Sequence, residues 1–67
     1  MVSLILAEDH PVVRKGLRAL LEGEPDFRIA GEAADGLGAV RLIEQEKPDI
    51  LIVDLRKGFS VSRMRMP

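Results

Sequence analysis

The chain has no cysteine, no tryptophan, no tyrosine and only one histidine among its 67 residues. Without cysteine there is no disulfide framework, and a single histidine cannot complete a cysteine and histidine zinc site. Neither kind of staple is therefore available to a chain of this size. The opening MVSLILAEDH lacks a basic leader, and its apolar run is too short to cross a bilayer or to serve as a signal-peptide core. A soluble, cytoplasmic protein without membrane attachment is expected. Sixty-seven residues allow one small domain, which buries only about 60% of the surface its unfolded chain exposes.

The formal net charge of −1 conceals an uneven distribution. All eleven acids lie within residues 1–54, against six bases (Arg14, Lys15, Arg18, Arg28, Arg41 and Lys47). Residues 56–67 carry Arg56, Lys57, Arg63 and Arg65 and no acid. This places a composition boundary near Leu55, dividing a domain at 1–55 from an irregular basic tail at 56–67. The tail's bases are interrupted by Gly58, Ser60 and Ser62, and Phe59 is its only aromatic. No nucleic acid is expected to be bound by this segment.

Val2–Ala7 is apolar without alternation, as expected of a strand covered on both faces. Pro11 fits the first position of a helix, with Asp9 or His10 as its cap. Val13, Leu17, Leu20 and Leu21 then form one apolar stripe, with Arg14, Lys15, Arg18 and Glu22 directed to water and Gly23 as the stop. Phe27 and Ile29 alternate with Arg28 in a strand with one wetter face, which suits a sheet edge. A second helix follows Asp35-Gly36, runs from Leu37 to Glu46 on Leu37, Ala39, Val40, Leu42 and Ile43, and ends before Pro48. Asp49–Asp54 is the third strand, and Ile50-Leu51-Ile52-Val53 argues for a central position. The order β-α-β-α-β, with helices of about ten residues, predicts a parallel three-stranded α/β sheet.

Glu8-Asp9 and Asp54 fall at the ends of the first and third strands, where α/β sheets build their ligand sites. If those strands are neighbours, the carboxylates converge to about 5 Å. Each pair then repels by roughly 3 kcal/mol at an effective dielectric of 20. Such a cluster calls for a cation or for protonation, and Mg²⁺ suits one or two carboxylates plus phosphate oxygens and water. Solvated strand-end acids, with Asp9 merely capping the helix, are the alternative. The turn Ala7-Glu8-Asp9-His10-Pro11 has none of the glycines that let a dinucleotide pyrophosphate approach the backbone, which argues against a Rossmann half-domain.

Three stretches, ILAEDHPVVRKGL at 5–17, GEAADG at 31–36 and KPDILIVDL at 47–55, together resemble the first half of a receiver domain from two-component response regulators. The likeness is strongest to the subfamily with a LuxR-type helix-turn-helix output domain. It implies a partial flavodoxin-like fold with strand order 2-1-3. It also implies that Asp54 accepts a phosphoryl group from a sensor histidine kinase while Glu8, Asp9 and Asp54 hold Mg²⁺. The chain would then be a stoichiometric acceptor and not an enzyme, and its parent a transcriptional regulator. The family often has Asp-Asp where Glu8-Asp9 stands here, so one ligand arm is longer by a methylene. His10 reads as a helix-entry residue.

A complete receiver has two further strands supplying a Ser or Thr and a Lys to the phosphoryl group. The family's Arg-Met-Pro after the acceptor strand occurs here as Arg65-Met66-Pro67, as though 56–64 were inserted. A truncated or disrupted receiver with impaired phosphotransfer is expected. The alternatives are a non-catalytic fragment that pairs with receivers or a kinase, or an inert product of a broken gene. A chain cut after the third strand would leave the Ile50–Val53 edge open to self-association.

Overall fold

The computed structural model describes residues 1–55 and 58–63, with side chains described for 1–55 and for Val61 and Ser62. The elements run β1 (Val2–Glu8), α1 (Pro11–Glu22), β2 (Phe27–Ala33), α2 (Gly36–Glu46), β3 (Ile50–Leu55) and β4 (Gly58–Arg63). They form one four-stranded sheet in the order β2-β1-β3-β4. The pairs β1–β2 and β1–β3 are parallel, so the expected α/β architecture and 2-1-3 order are present within it. Leu4, Ile5, Leu6 and Ala7 are fully buried along β1, which accounts for the unbroken apolar run of the first strand.

One side of the sheet carries the packed cluster Ala7, Ala33 and Ala39, joined by Leu42 of α2 and by Leu51 and Val53 of β3. Small residues there let α2 sit close to the sheet. At Gly31 the approach is closest, because a Cβ would lie 2.9 Å from Leu42 Cδ2 and 3.4 Å from Ile5 Cδ1. α2 starts as expected, with the Asp35 carboxylate accepting from Gly38 N at 2.8 Å. It stops at Lys47, which adopts the left-handed conformation (φ 47°), directly before buried Pro48. Of the apolar residues expected on its inner face, Ala39 is buried, whereas Val40 and Leu37 are exposed.

α1 begins at Pro11 with His10 at the cap position, but no side chain caps it. Its packing face also differs from the expected stripe. Leu17 and Leu21 are partly buried, yet Leu20 is 73% exposed, and Arg14 and Arg18 take inner positions beside them. The reason is electrostatic. Arg14 Nη1 donates to Glu8 O at 3.1 Å and its Nε lies 3.7 Å from Glu32 Oε1, while Arg18 Nη1 donates to Glu32 Oε2 at 3.3 Å. These contacts turn the arginines toward β1 and β2 and turn Leu20 outward.

Residues 58–63, expected to be irregular, form β4 instead, antiparallel to β3 with Leu55 opposite Gly58 and Ile50 opposite Arg63. The Ile50–Val53 edge is consequently paired, which removes the route expected for self-association. An apolar central strand with a free ladder of N–H and C=O groups is a strong template for any segment able to fold back on it. Phe59-Ser60-Val61-Ser62 has the two-residue alternation for that role, in a stretch too short to announce itself. The expected features at Arg56, Lys57 and 64–67, including the Arg65-Met66-Pro67 unit, lie outside the described residues.

The amino ends of β1 and β3 are fastened by a reciprocal clamp. Asp49 Oδ2 accepts from Ser3 N at 2.9 Å and from Ser3 Oγ at 3.2 Å, and Asp49 N donates to Ser3 O at 2.9 Å. Replacing Asp49 with alanine leaves Ser3 N without its acceptor. The substitution is expected to cost about 1–3 kcal/mol, read as a lowered midpoint in urea with an unchanged slope.

Candidate metal and phosphoryl site

The chain passes from β1 to β2 on one side and returns to β3 on the other, so the sheet switches direction between β1 and β3. The carboxyl ends of these two strands flank the crevice where such sheets bind ligands. Glu8 and Asp54 are Cα partners across this ladder. Side chains alternate faces along strands, so direct partners project on the same side. Asp9 follows Glu8 at once, in the turn before α1. The structure thus brings the three sequence-predicted acids to one end of the sheet.

Glu8 is 1% exposed, an unusual state for a carboxylate. Its Oε1 accepts from His10 N at 2.8 Å and faces His10 Nδ1 at 3.2 Å. Its Oε2 is buried without a hydrogen-bond partner. Asp9 Oδ1 is buried in the same condition, although it lies 3.0 Å from His10 Nδ1. One proton on Nδ1 cannot serve both carboxylates. Two buried acceptors without donors are costly unless a positive group pairs with them. Glu8, Asp9 and His10 offer ligand atoms that all lie within 4.8 Å of one another and form a group able to hold a metal ion. Asp54 adjoins this group through the backbone ladder and is not itself among the three.

His10 is the member that the sequence reading passed over. Its ring is 69% exposed and turned back to the acids instead of capping α1. The hydrogen bond to Glu8 and then the charge of Asp9 raise its pKa above the ordinary value of 6.5, against a smaller opposing effect of desolvation. A folded-state value above the unfolded one adds stability that is fully present below the ordinary value. That stability is lost as pH rises through the raised one. The signal in the sequence was the run Glu8-Asp9-His10, three potential ligands without a break at a strand end.

Residues 4–57 match the response regulator receiver domain family. The chain is 46% identical over 55 residues to the transcriptional regulatory protein LiaR of Bacillus subtilis (strain 168), covering 82% of this chain and 26% of that protein. It is 48% identical over 54 residues to the transcriptional regulatory protein YhcZ of the same organism, covering 81% of this chain and 25% of that one. The crystal structure of a LuxR-family two-component response regulator from Aurantimonas sp. SI85-9A1 superposes with a TM-score of 0.72 at 41% identity, covering 76% of this chain and 36% of that chain. The chain spans about a quarter of the length of the curated relatives it matches. Among the described residues no helix is long and apolar enough to cross a membrane. The family match over most of the chain, together with the fold likeness, establishes that this chain belongs to the response regulator receiver domain family.

Proposed function

We propose that the chain is the phosphoacceptor part of a two-component response regulator, with Asp54 as the residue phosphorylated and Glu8, Asp9 and Asp54 as the holders of Mg²⁺. The observation that carries this reading is the buried, unpartnered Oε2 of Glu8, one strand away from Asp54 in register. A bound Mg²⁺ would neutralise the carboxylates and the phosphoryl oxygens. Everything else falls to the chain itself.

An Asp54 carboxylate oxygen attacks the phosphorus of a phosphohistidine on a sensor kinase in line with the N–P bond. The O–P bond forms as the N–P bond breaks, and the departing imidazole takes up a proton from solvent. The product is an acyl phosphate on Asp54, formed once per chain, so the protein is an acceptor and not an enzyme. Glu8 is set by its backbone ladder and by His10, and Arg14 holds the strand end through Glu8 O. LiaR and YhcZ are transcriptional regulatory proteins, which supports a transcriptional regulator as the parent protein; a regulator of transcription works in the cytoplasm of a bacterium.

Incubation with acetyl phosphate and Mg²⁺, followed by intact mass, tests the reading. One phosphoryl adduct is expected on the chain, lost in Asp54→Asn and lost on chelation. An adduct that persists in Asp54→Asn would place the acceptor elsewhere. No adduct at all, with retained binding to an intact receiver, would support a non-catalytic interaction module instead.

A further inference from the structure

We propose that His10 is a further protein ligand at this site, beside the carboxylates already named, and that it gives the site a preference for first-row transition cations over Mg²⁺. The proposal rests on the reading of the β1 and β3 ends as a cation site and adds to it a selectivity determinant.

Acids at a strand end do not by themselves make a metal site. Here a second observation points to a ligand, because Glu8 is almost wholly buried and yet leaves Oε2 with no donor. Around an octahedral ion with bonds of about 2.1 Å, neighbouring ligand atoms sit about 3.0 Å apart. His10 Nδ1 lies 3.2 Å from Glu8 Oε1 and 3.0 Å from Asp9 Oδ1. Two edges of such a polyhedron, both meeting at His10 Nδ1, are therefore already present. The remaining positions stay open to water or to phosphoryl oxygens.

Imidazole is a good ligand for Co²⁺, Ni²⁺ and Zn²⁺ and a poor one for Mg²⁺, which takes oxygen. Two carboxylates with one imidazole between them therefore favour the former class. Binding requires the Nδ1 lone pair, so the neutral imidazole must carry its proton on Nε2 and any second proton passes to solvent. The ring's exposure leaves that proton free to exchange. A mere partner of Glu8 would also sit near it, so the test must separate ligation from hydrogen bonding.

The test titrates Co²⁺ and Mg²⁺ calorimetrically into the full 67-residue chain and into two variants, His10→Ala and His10→Asn. Asparagine keeps an N–H able to reach Glu8 but offers no imidazole. Both substitutions are at an exposed side chain, and circular dichroism confirms the fold in each. The expected result is a Co²⁺ affinity at least about tenfold lower in both variants, with Mg²⁺ affinity changed by less than about threefold. The visible absorption of bound Co²⁺ should also change. Equal losses for the two cations, or no loss for Co²⁺, would overturn the proposal, as would full recovery of Co²⁺ affinity in His10→Asn. If neither cation binds the parent chain, the proposal falls together with the Mg²⁺ part of the functional reading. If Co²⁺ binds through His10 but the phosphoryl adduct survives in Asp54→Asn, only the assignment of the acceptor falls.

Discussion

Leu6→Ala is expected to unfold the chain at 25 °C. Leu6 is fully buried in the middle of β1, which pairs with β2 on one side and β3 on the other. Truncating a buried leucine to alanine costs about 2–5 kcal/mol, combining lost transfer energy with the cavity left behind. A core in a chain of this length supplies no more than about 3–5 kcal/mol of net stability. The loss is thus comparable to everything the fold has. Far-ultraviolet circular dichroism should show the variant largely unfolded in buffer, while Leu20→Ala, at an exposed leucine of α1, should stay within about 0.5 kcal/mol of the parent. A Leu6→Ala chain that still melts cooperatively near the parent midpoint would show that β1 is not the centre of the core.

The second large effect is a reversal of sign at Glu8. With divalent ions chelated, Glu8→Gln is expected to be more stable than the parent by about 1–3 kcal/mol. The change removes a buried charge and replaces an unpartnered oxygen by an amide NH₂. With Mg²⁺ at about a thousand times its dissociation constant the order should invert. The parent then gains about 4.1 kcal/mol by mass action, while the variant has lost a ligand and gains much less. Thermal midpoints of both proteins with chelator and with Mg²⁺ give the four values needed. Parallel shifts, with Glu8→Gln equally stabilised by Mg²⁺, would mean that the buried carboxylate takes no part in holding the ion.

The two largest effects lie on a single strand because one element serves both the core and the site. Leu4–Ala7 supply the centre of the packing, and the next residue, Glu8, is carried into the interior by the same strand. The neighbouring ladder then sets Asp54 opposite it. Burial of the acid follows from its place at the end of an apolar run, not from any apolar character of its own. The cost is met locally, by His10 N and the His10 ring at one oxygen, and is left open at the other. A carboxylate oxygen buried without a donor would gain stability from a bound cation.

Much of this was legible before any coordinates. Continuous apolar runs marked β1 and β3, Pro11 and Gly23 bounded α1, and Asp35 and Pro48 bounded α2, because these signals act over a few residues and depend on backbone geometry alone. The acids at 8, 9 and 54 were visible for the same reason, since strand ends in an α/β order have a known place in space.

Other features depended on partners distant in sequence. Glu32 and the carbonyl of Glu8 turned Arg14 and Arg18 inward and Leu20 out, against the helical stripe. The open edge of β3 recruited 58–63 into β4, although that segment's own alternation is only a few residues long. His10 was a helix-entry residue by its position next to Pro11 and became part of the acidic group only when the turn folded its ring back. The sequence by itself determined the order β-α-β-α-β, the buried β1 run and the place of the acids at the ends of β1 and β3, since hydrophobic period and chain-breaking residues are local. Tertiary structure alone decided the fourth strand and the face of α1, since each is a competition among hydrogen-bonding groups that meet only after the chain has closed on itself.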